Sequence, residues 1–206
     1  MPVLSTVALG VVAAGLVGQI WAESAGQARA RAVLKVAASC GFLLLAVPFA
    51  RGRYGTLVLS GLCLSAVGDA LLLGHAKRAF LSGLGAFLLA HLAYVAAFAP
   101  VSRVSPLRAA ILVCLGAALL GWLWPRLGEL RLPVIAYVVA LSSTLFFGLG
   151  VKSSLVPLGA ALFYLSDLAV ARDRFVRPGL ANRVVGLPMY YAAQVILALS
   201  VRAPIP

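Results

Sequence analysis

The chain has 206 residues, of which 63% are hydrophobic and 11% are charged. A soluble domain is usually about half apolar and a quarter charged, so this composition excludes a soluble globular protein and predicts an integral membrane protein. The net charge of +12 comes from short basic clusters between apolar runs, which is the pattern of a membrane topology signal and not of a nucleic-acid-binding surface.

Eight apolar runs follow one another along the chain. A spanning helix needs roughly 20 apolar residues, and lipid leaves the open edge of a strand without hydrogen-bond partners. We therefore predict an all-α, polytopic membrane bundle of about eight transmembrane helices that forms one domain over residues 1–206. The predicted helices cover residues 3–21, 33–50, 56–74, 80–99, 107–124, 133–151, 153–171 and 184–202.

Basic residues are distributed unequally between the connections of these helices. Eleven Lys and Arg residues flank the connections after odd-numbered helices, and six flank those after even-numbered helices and the C-terminal segment. The positive-inside rule then predicts that both termini lie outside and that the odd-numbered connections lie in the cytoplasm. The richness in Ala, Gly, Arg and Val favours a bacterial origin, and hence the bacterial inner (cytoplasmic) membrane.

The three cysteines, Cys40, Cys63 and Cys114, lie inside apolar runs and lack CxxC spacing. This pattern predicts buried thiols that act as small apolar residues. It indicates no disulfide framework and no metal site, and no cofactor is predicted.

Two aspartates, Asp69 and Asp167, lie inside the third and seventh predicted helices. An ionisable group in a spanning helix costs a few kcal/mol and marks a candidate functional site; a structural carboxylate bonded to a neighbouring helix is the alternative. At ~1.5 Å per residue, the two lie ~8 Å and ~6 Å inside the same membrane face. Both follow a small residue and precede a basic loop, so a four-plus-four parallel repeat is possible, with chance likeness as the alternative.

Other polar residues are predicted to lie in the same half of the membrane. The set comprises Lys35, Tyr190, Tyr191 and Gln194, with His91 nearer the midplane. Helical spacing places Ser65 on the face of Asp69, Gln194 on the face of Tyr190, and Tyr94 close to His91. We therefore expect one polar chamber that opens to the cytoplasm or to the inner leaflet. His91 either lines or braces this chamber, and Lys35 either snorkels to the interface or serves as a cation for a phosphate or carboxylate.

Two carboxyl groups, one protonated and one ionised, suit acid-catalysed cleavage of an acetal-like or enol-ether bond through an oxocarbenium ion. They would equally suit a proton relay in a transporter, and a non-catalytic membrane partner protein is a third possibility. The sequence contains no Gly-x-Ser-x-Gly, His-Glu-x-x-His or P-loop motif. It therefore does not favour a serine hydrolase, a zinc protease or an ATPase.

Four segments around these residues resemble the YhhN family, whose known members are lysoplasmalogenases. They are residues 60–72 with Gly68-Asp69, residues 80–94 with His91 and Tyr94, residues 159–167 with Ser166-Asp167, and the run Tyr190-Tyr191-Ala192-Ala193-Gln194. Lys35 stands where the family carries a lysine, although Val36 replaces the proline that often follows it.

The resemblance implies an eight-helix membrane hydrolase that cleaves the vinyl-ether bond of a lysoplasmalogen to a fatty aldehyde and glycerophospho-ethanolamine or glycerophospho-choline. On this hypothesis Asp69 and Asp167 are the catalytic acid and base, in an order that the sequence leaves open. The residues predicted to bind substrate are Lys35, Ser65, His91, Tyr94, Ser166, Tyr190, Tyr191 and Gln194. The expected partners are a lysophospholipid and membrane lipid, without nucleic acid, and the oligomeric state stays open. The alternative function is a small proton-coupled lipid or solute transporter that uses the same aspartates.

Overall fold

The computed structural model describes residues 2–74 and 76–202, so both ends of the predicted domain, residue 1 and residues 203–206, lie outside the described residues. Eight α-helices occur in the described part of the chain. They are α1 (Pro2–Ser24), α2 (Ala28–Ala46), α3 (Gly52–Leu71), α4 (Lys77–Phe98), α5 (Pro106–Leu127), α6 (Arg131–Gly148), α7 (Leu155–Ala171) and α8 (Leu180–Ser200). Short 3-10 turns follow α2, α4 and α5, and a π-helical turn, Arg172–Val176, follows α7.

Each predicted helix overlaps one observed helix, which confirms the helical membrane bundle. Most helices begin earlier than predicted because the polar and basic residues at their N-terminal ends are helical too, as in the first turns of α2 and α4. Apolar runs mark only the part of a helix that lies in hydrocarbon.

Seven continuous stretches among the described residues are long and apolar enough to cross a membrane. The stretch Pro106–Gly148 has 43 residues because it joins α5 and α6. Gly128 separates these two helices with a φ of +52°, a left-handed conformation that glycine adopts without a steric cost. The two helices then pack against each other.

The outer surface of the bundle is apolar, as contact with lipid requires. Large side chains such as Leu107 and Val113 are at least 70% exposed. Cys40, Cys63 and Cys114 are also exposed and unpaired, so the expectation of buried thiols was wrong. Apolar runs do not distinguish a core-facing position from a lipid-facing one, since both environments favour the same residues.

Alternate connections meet at the same end of the bundle. Lys77 after α3 pairs with Glu129 after α5, and this hydrogen bond and charge hold the pKa of the Glu129 carboxyl below its ordinary value. At the opposite end, Ser102 after α4 forms an antiparallel bridge with Val151 after α6, and Arg202 after α8 donates to the first turns of α1. The odd-numbered connections therefore share one end of the bundle. That this end faces the cytoplasm stays a prediction.

Two glycines of α3 allow aromatic rings of α4 to approach its backbone closely. A Cβ atom added at Gly61 would lie 2.6 Å from the Tyr94 ring, and one added at Gly68 would lie 2.6 Å from the Phe87 ring. Such small residues are how membrane helices pack tightly without a hydrophobic driving force. This close α3–α4 contact positions Asp69, which follows Gly68.

Substitution Gly68→Ala is expected to lower the free energy of unfolding by about 1–3 kcal/mol, because the Phe87 ring must move to admit a methyl group. Thermal unfolding of the purified protein in detergent measures this loss. The matched control is Gly85→Ala on α4, where an added Cβ meets no atom within 4 Å. Equal stability of the two variants would contradict the described packing.

Candidate active site

A cavity of about 490 Å³ lies at the end of the bundle that the odd-numbered connections share, and both Asp69 and Asp167 line it. Asp69 lies in the last turn of α3, and Asp167 lies near the end of α7. Of the other predicted site residues, Lys35, Ser166 and Tyr190 also line the cavity. The two helices thus direct their aspartates into one shared space.

Asp69 is held by three donors from two helices. The Lys35 ammonium of α2 lies 3.0 Å from its Oδ1. The Ser39 hydroxyl, one turn further along α2, donates to Oδ2 at 2.9 Å, and the Tyr190 hydroxyl of α8 donates to the same oxygen at 2.7 Å. Asp69 is only 3% exposed. A buried carboxylate loses its hydration, and the positive charge of Lys35 and the two hydrogen bonds compensate for that loss.

Asp167 has a different set of partners. The Tyr137 hydroxyl of α6 donates to its Oδ2 at 2.8 Å, and Nε2 of His91 from α4 lies 3.2 Å from the same oxygen. No lysine or arginine forms an ion pair with Asp167 among the described residues. Among these partners, the charge of Asp167 can therefore be neutralised only by a proton, either on its own carboxyl group or on His91.

The hydrogen bonds of His91 indicate where that proton lies. The Thr144 hydroxyl lies 3.0 Å from the Ala140 carbonyl oxygen and 3.2 Å from the His91 carbonyl oxygen, and when it donates to either of them its own oxygen accepts from Nδ1–H of His91 at 3.1 Å. With Nδ1 protonated, the contact between Nε2 and Asp167 needs a proton on one of the two atoms. In that arrangement the His91–Asp167 pair holds one exchangeable proton.

The two aspartates have corresponding positions in the two halves of the chain. Ser39 precedes Asp69 by 30 residues, and Tyr137 precedes Asp167 by 30 residues. The second partner of each comes from the other half, from α8 for Asp69 and from α4 for Asp167. A parallel four-plus-four repeat would produce this correspondence, although the repeat itself stays a prediction.

Five predicted site residues lie behind the cavity wall and do not line it. They are Ser65, His91, Tyr94, Tyr191 and Gln194. The Tyr94 hydroxyl donates to Oε1 of Gln194 at 3.0 Å. The Ser65 hydroxyl is buried without a hydrogen-bond partner of normal geometry among the described residues.

Tyr191 and Ser166 have hydrogen-bond partners other than the two aspartates. The Gln19 amide of α1 donates to the Tyr191 hydroxyl at 2.8 Å. Ser166 donates to the Phe163 carbonyl of its own helix at 2.8 Å, although the residue itself lines the cavity. Neither hydroxyl is hydrogen-bonded to Asp69 or Asp167 in this structure.

Sequence reasoning missed Ser39, Tyr137, Thr144 and Gln19. Ser39 could have been found, because it is one helical turn after Lys35 and shares its face. Tyr137 had no such signal, since it stands alone in the apolar run of α6. Its role follows only from how α6 packs against α4 and α7.

One side of the cavity is apolar and suited to a hydrocarbon chain. Five aliphatic side chains from α5 and α6 line it: Leu119, Leu123, Val134, Val138 and Leu141. The polar groups that line the cavity come from α1, α2, α3, α6, α7, the π-helical turn and α8. The space therefore combines an acid–base centre with a slot for a lipid tail, as expected for a site that acts on an amphipathic molecule.

Comparison with known proteins gives matches over most of the chain. The YhhN family model matches residues 30–201. The lysoplasmalogenase of Mycobacterium tuberculosis is 36% identical over 188 residues, 85% of this chain and 71% of that protein. Human lysoplasmalogenase TMEM86B is 39% identical over 178 residues, 84% of this chain and 75% of that protein.

A relative whose name states no activity is also similar. The uncharacterized membrane protein YhhN of Escherichia coli O157:H7 is 34% identical over 154 residues, 70% of this chain and 73% of that protein. No solved structure is significantly similar. Together with the apolar helices, these matches show an integral, multi-pass membrane protein.

Proposed function

The chain belongs to the YhhN family, and from that membership we propose that it is a lysoplasmalogenase that hydrolyses the vinyl-ether bond of a lysoplasmalogen. The products are a fatty aldehyde and glycerophospho-ethanolamine or glycerophospho-choline. The similarity to proteins named lysoplasmalogenase supports the reaction. The structural observation that carries it is the pair of differently partnered aspartates beside an apolar slot.

We assign the two aspartates different roles from their partners. Asp69 is the ionised carboxylate, since the Lys35 ammonium matches its charge. Asp167 belongs to the proton-holding pair with His91, and this pair is the general acid. Two carboxyl groups kept in different protonation states are what acid–base hydrolysis requires. His91 is fully buried, so it acts through Asp167 as a positioning residue.

The proposed reaction begins with proton transfer from Asp167 to the vinyl carbon distal to the ether oxygen. The electron pair of the double bond forms the new C–H bond, and the ether oxygen lone pair stabilises the resulting oxocarbenium ion. Asp69 stabilises this cation electrostatically and takes a proton from the water that attacks the carbon bonded to oxygen. The C–O bond between the hemiacetal carbon and glycerol then breaks: the glycerol oxygen takes the proton that Asp69 received from water, and the hemiacetal hydroxyl gives its proton to Asp167 as the aldehyde forms. Both aspartates thereby return to their starting protonation states.

The lipid lies with its alkenyl chain in the apolar slot between α5 and α6. Its phosphate lies toward the cavity mouth, near Lys35 and the basic residues of the odd-numbered connections. We place this mouth on the cytoplasmic side of a bacterial inner membrane, with both termini outside, because the positive-inside rule favours that orientation.

Tyr137→Phe is expected to lower kcat by roughly 10- to 100-fold with little change in KM, since it removes one hydrogen bond to a functional carboxyl group. The rate of aldehyde release over a range of lysoplasmalogen concentrations measures both constants. Tyr54→Phe is the matched control, because this hydroxyl bonds to Ser200 at the opposite end of the bundle. Equal kcat values for the two variants would remove Tyr137 from the mechanism.

The function itself is tested with purified protein in detergent. Aldehyde release is expected from a 1-alkenyl lysolipid and not from the saturated 1-alkyl lysolipid of equal chain length, which cannot form the oxocarbenium ion by carbon protonation. Absence of release from the alkenyl lipid, together with proton-coupled uptake of a solute into proteoliposomes, would favour the transporter alternative. Equal cleavage of both lipids would contradict the vinyl-ether mechanism.

A further inference from the structure

A second open space lies on the outer side of the bundle, between α5, α7 and α8, and has a volume of about 640 Å³. Its walls are mostly apolar and include side chains that are about half exposed, such as Leu115, Leu165 and Val185. We call this space the lateral groove. Because these side chains belong to the apolar surface that faces lipid, the groove opens directly to the bilayer.

The lateral groove follows from the way in which α5 packs. This helix packs on α6 and on the π-helical turn after α7, whereas α7 packs along α8. Among the described residues, α5 does not pack along α7 in the same way. The small side chain of Ala118 on α5 leaves further space here. Such a gap costs little in a membrane, since lipid chains are as apolar as the side chains that would otherwise fill it.

Three residues line both the lateral groove and the cavity of the candidate active site. They are Leu119 of α5, Ala169 of α7 and Asn182 of α8, and at these positions one layer of side chains separates the two spaces. Leu119 also belongs to the apolar slot of the cavity. Ala169 follows Asp167 by two residues, about 3 Å along the axis of α7. The groove is therefore continuous with the chain-binding side of the cavity, close to the reactive group.

The lateral groove is apolar over most of its length and polar at one end. Tyr164 and Arg172 both line it and lie about 12 Å apart along the axis of α7 and its π-helical turn. The Arg172 guanidinium donates to Oδ1 of Asn182 at the end of the bundle that the odd-numbered connections share. A single-chain lipid in a bilayer has the same order, with its polar part at the interface and its chain in the hydrocarbon. The groove therefore matches a chain that lies parallel to α7.

The end of the cavity that faces water is unsuited to an apolar chain. Arg183 pairs there with both Glu23 and Asp173, and all three side chains line the cavity. Every CH₂ group that leaves hydrocarbon for a hydrated, charged opening loses favourable transfer free energy. The alkenyl chain of the substrate and the fatty aldehyde product both carry many such groups. A side opening into the bilayer spares both of them this passage.

We propose that the lateral groove binds the hydrocarbon chain of the lysolipid and is the route by which this chain passes between the bilayer and the cavity. The inference rests on the proposed function for the identity of the lipid. The chain enters as the alkenyl chain of the substrate and leaves as that of the fatty aldehyde, and no bond changes in the groove. Passage requires the Leu119 side chain to turn away, whereas Ala169 presents only a methyl group.

Tryptophan fluorescence tests this binding without any chemistry. Trp122 lines the groove and Trp124, two residues further along α5, does not, although the two are almost equally exposed at 41% and 43%. The double variant Trp21→Phe, Trp124→Phe retains Trp122, and the control Trp21→Phe, Trp122→Phe retains Trp124. Each protein is reconstituted in phosphatidylcholine vesicles and titrated with a saturated 1-alkyl lysolipid that carries a nitroxide quencher on its chain.

Quenching of Trp122 is expected to saturate, and an excess of the unlabelled lysolipid is expected to reverse it, because a site holds a limited number of chains. Quenching of Trp124 is expected to rise in proportion to the label, since this side chain meets only bulk lipid. Proportional quenching of both tryptophans, without reversal by the unlabelled lipid, would overturn the proposal.

The passage of the chain is tested by filling the groove. Ala117 and Ala118 are neighbouring exposed residues of α5, and only Ala118 lines the groove. Ala118→Trp is expected to lower kcat/KM for a long-chain alkenyl lysolipid by roughly tenfold, the lower range for a change of fit in an apolar pocket. A short-chain, water-soluble analogue can enter from water, so its kcat/KM is expected to stay unchanged.

Ala117→Trp is the matched control, and it is expected to keep the wild-type kcat/KM for both lipids. An unchanged kcat/KM of Ala118→Trp for the long-chain lipid, an equal loss for both chain lengths, or equal losses in the two variants would overturn the route.

The two measurements separate this inference from the proposed function. Saturable quenching of Trp122 in a protein that releases no aldehyde would contradict the hydrolase and leave the chain site in place. Aldehyde release by a protein in which Trp122 and Trp124 are quenched alike would contradict the chain site and leave the hydrolase in place.

Discussion

Replacing either Asp69 or Asp167 by asparagine is expected to lower kcat for lysoplasmalogen roughly 100- to 10,000-fold, the usual range for loss of a general acid or base. Asparagine keeps the shape of the side chain and can still accept hydrogen bonds, but it neither carries a negative charge nor delivers a proton at neutral pH. Aldehyde release by the purified variants measures the loss.

Glu129→Gln serves as the control for this pair, because its carboxylate pairs with Lys77 on the exposed surface away from the cavity. Its kcat is expected to equal that of the wild-type protein. Full turnover by either aspartate variant would exclude the two-carboxylate mechanism, whatever happens to the other variant.

Lys35→Met is expected to destabilise the protein by about 3 kcal/mol, near the lower end of the cost of breaking a buried ion pair. The lysine side chain is 15% exposed and the aspartate side chain is 4% exposed, so the substitution leaves the Asp69 charge largely desolvated and without its cation. Thermal unfolding in detergent measures the change. Lys77→Met is the control, since its ion pair with Glu129 is solvent-exposed and contributes little.

The double variant Lys35→Met, Asp69→Asn separates stability from catalysis. It contains no unpaired charge at this position, so most of the lost stability is expected to return. Its turnover is expected to stay as low as that of Asp69→Asn alone. A double variant as unstable as Lys35→Met would show that Lys35 stabilises the fold through packing and not through its charge.

Much of the fold could be predicted from hydropathy alone. Eight apolar runs correspond to the eight helices, because a helix that crosses lipid must be apolar over its whole buried length. The helix ends could not be predicted closely, since the basic first turns of α2 and α4 are helical without being apolar. The outward direction of Cys63 was missed because lipid and protein core favour the same side chains.

The site was predictable where a residue was out of place in its surroundings. Asp69, Asp167 and Lys35 are charged groups in apolar helices, and such groups carry a strong functional signal. A lone hydroxyl such as that of Tyr137 is common in membrane helices and carries none. Tyr137 becomes a partner of Asp167 only through the packing of α6 on α7.

The most direct test of the central claim is hydrolysis of a lysoplasmalogen by the purified wild-type protein in deuterium oxide, followed by mass spectrometry of the aldehyde. Carbon protonation by the His91–Asp167 pair predicts one deuterium on the carbon next to the carbonyl group, because the exchangeable proton of that pair comes from solvent. Recovery of intact lysolipid, or of an aldehyde without deuterium at that carbon, would contradict the proposal that the two aspartates form the active site of a vinyl-ether hydrolase.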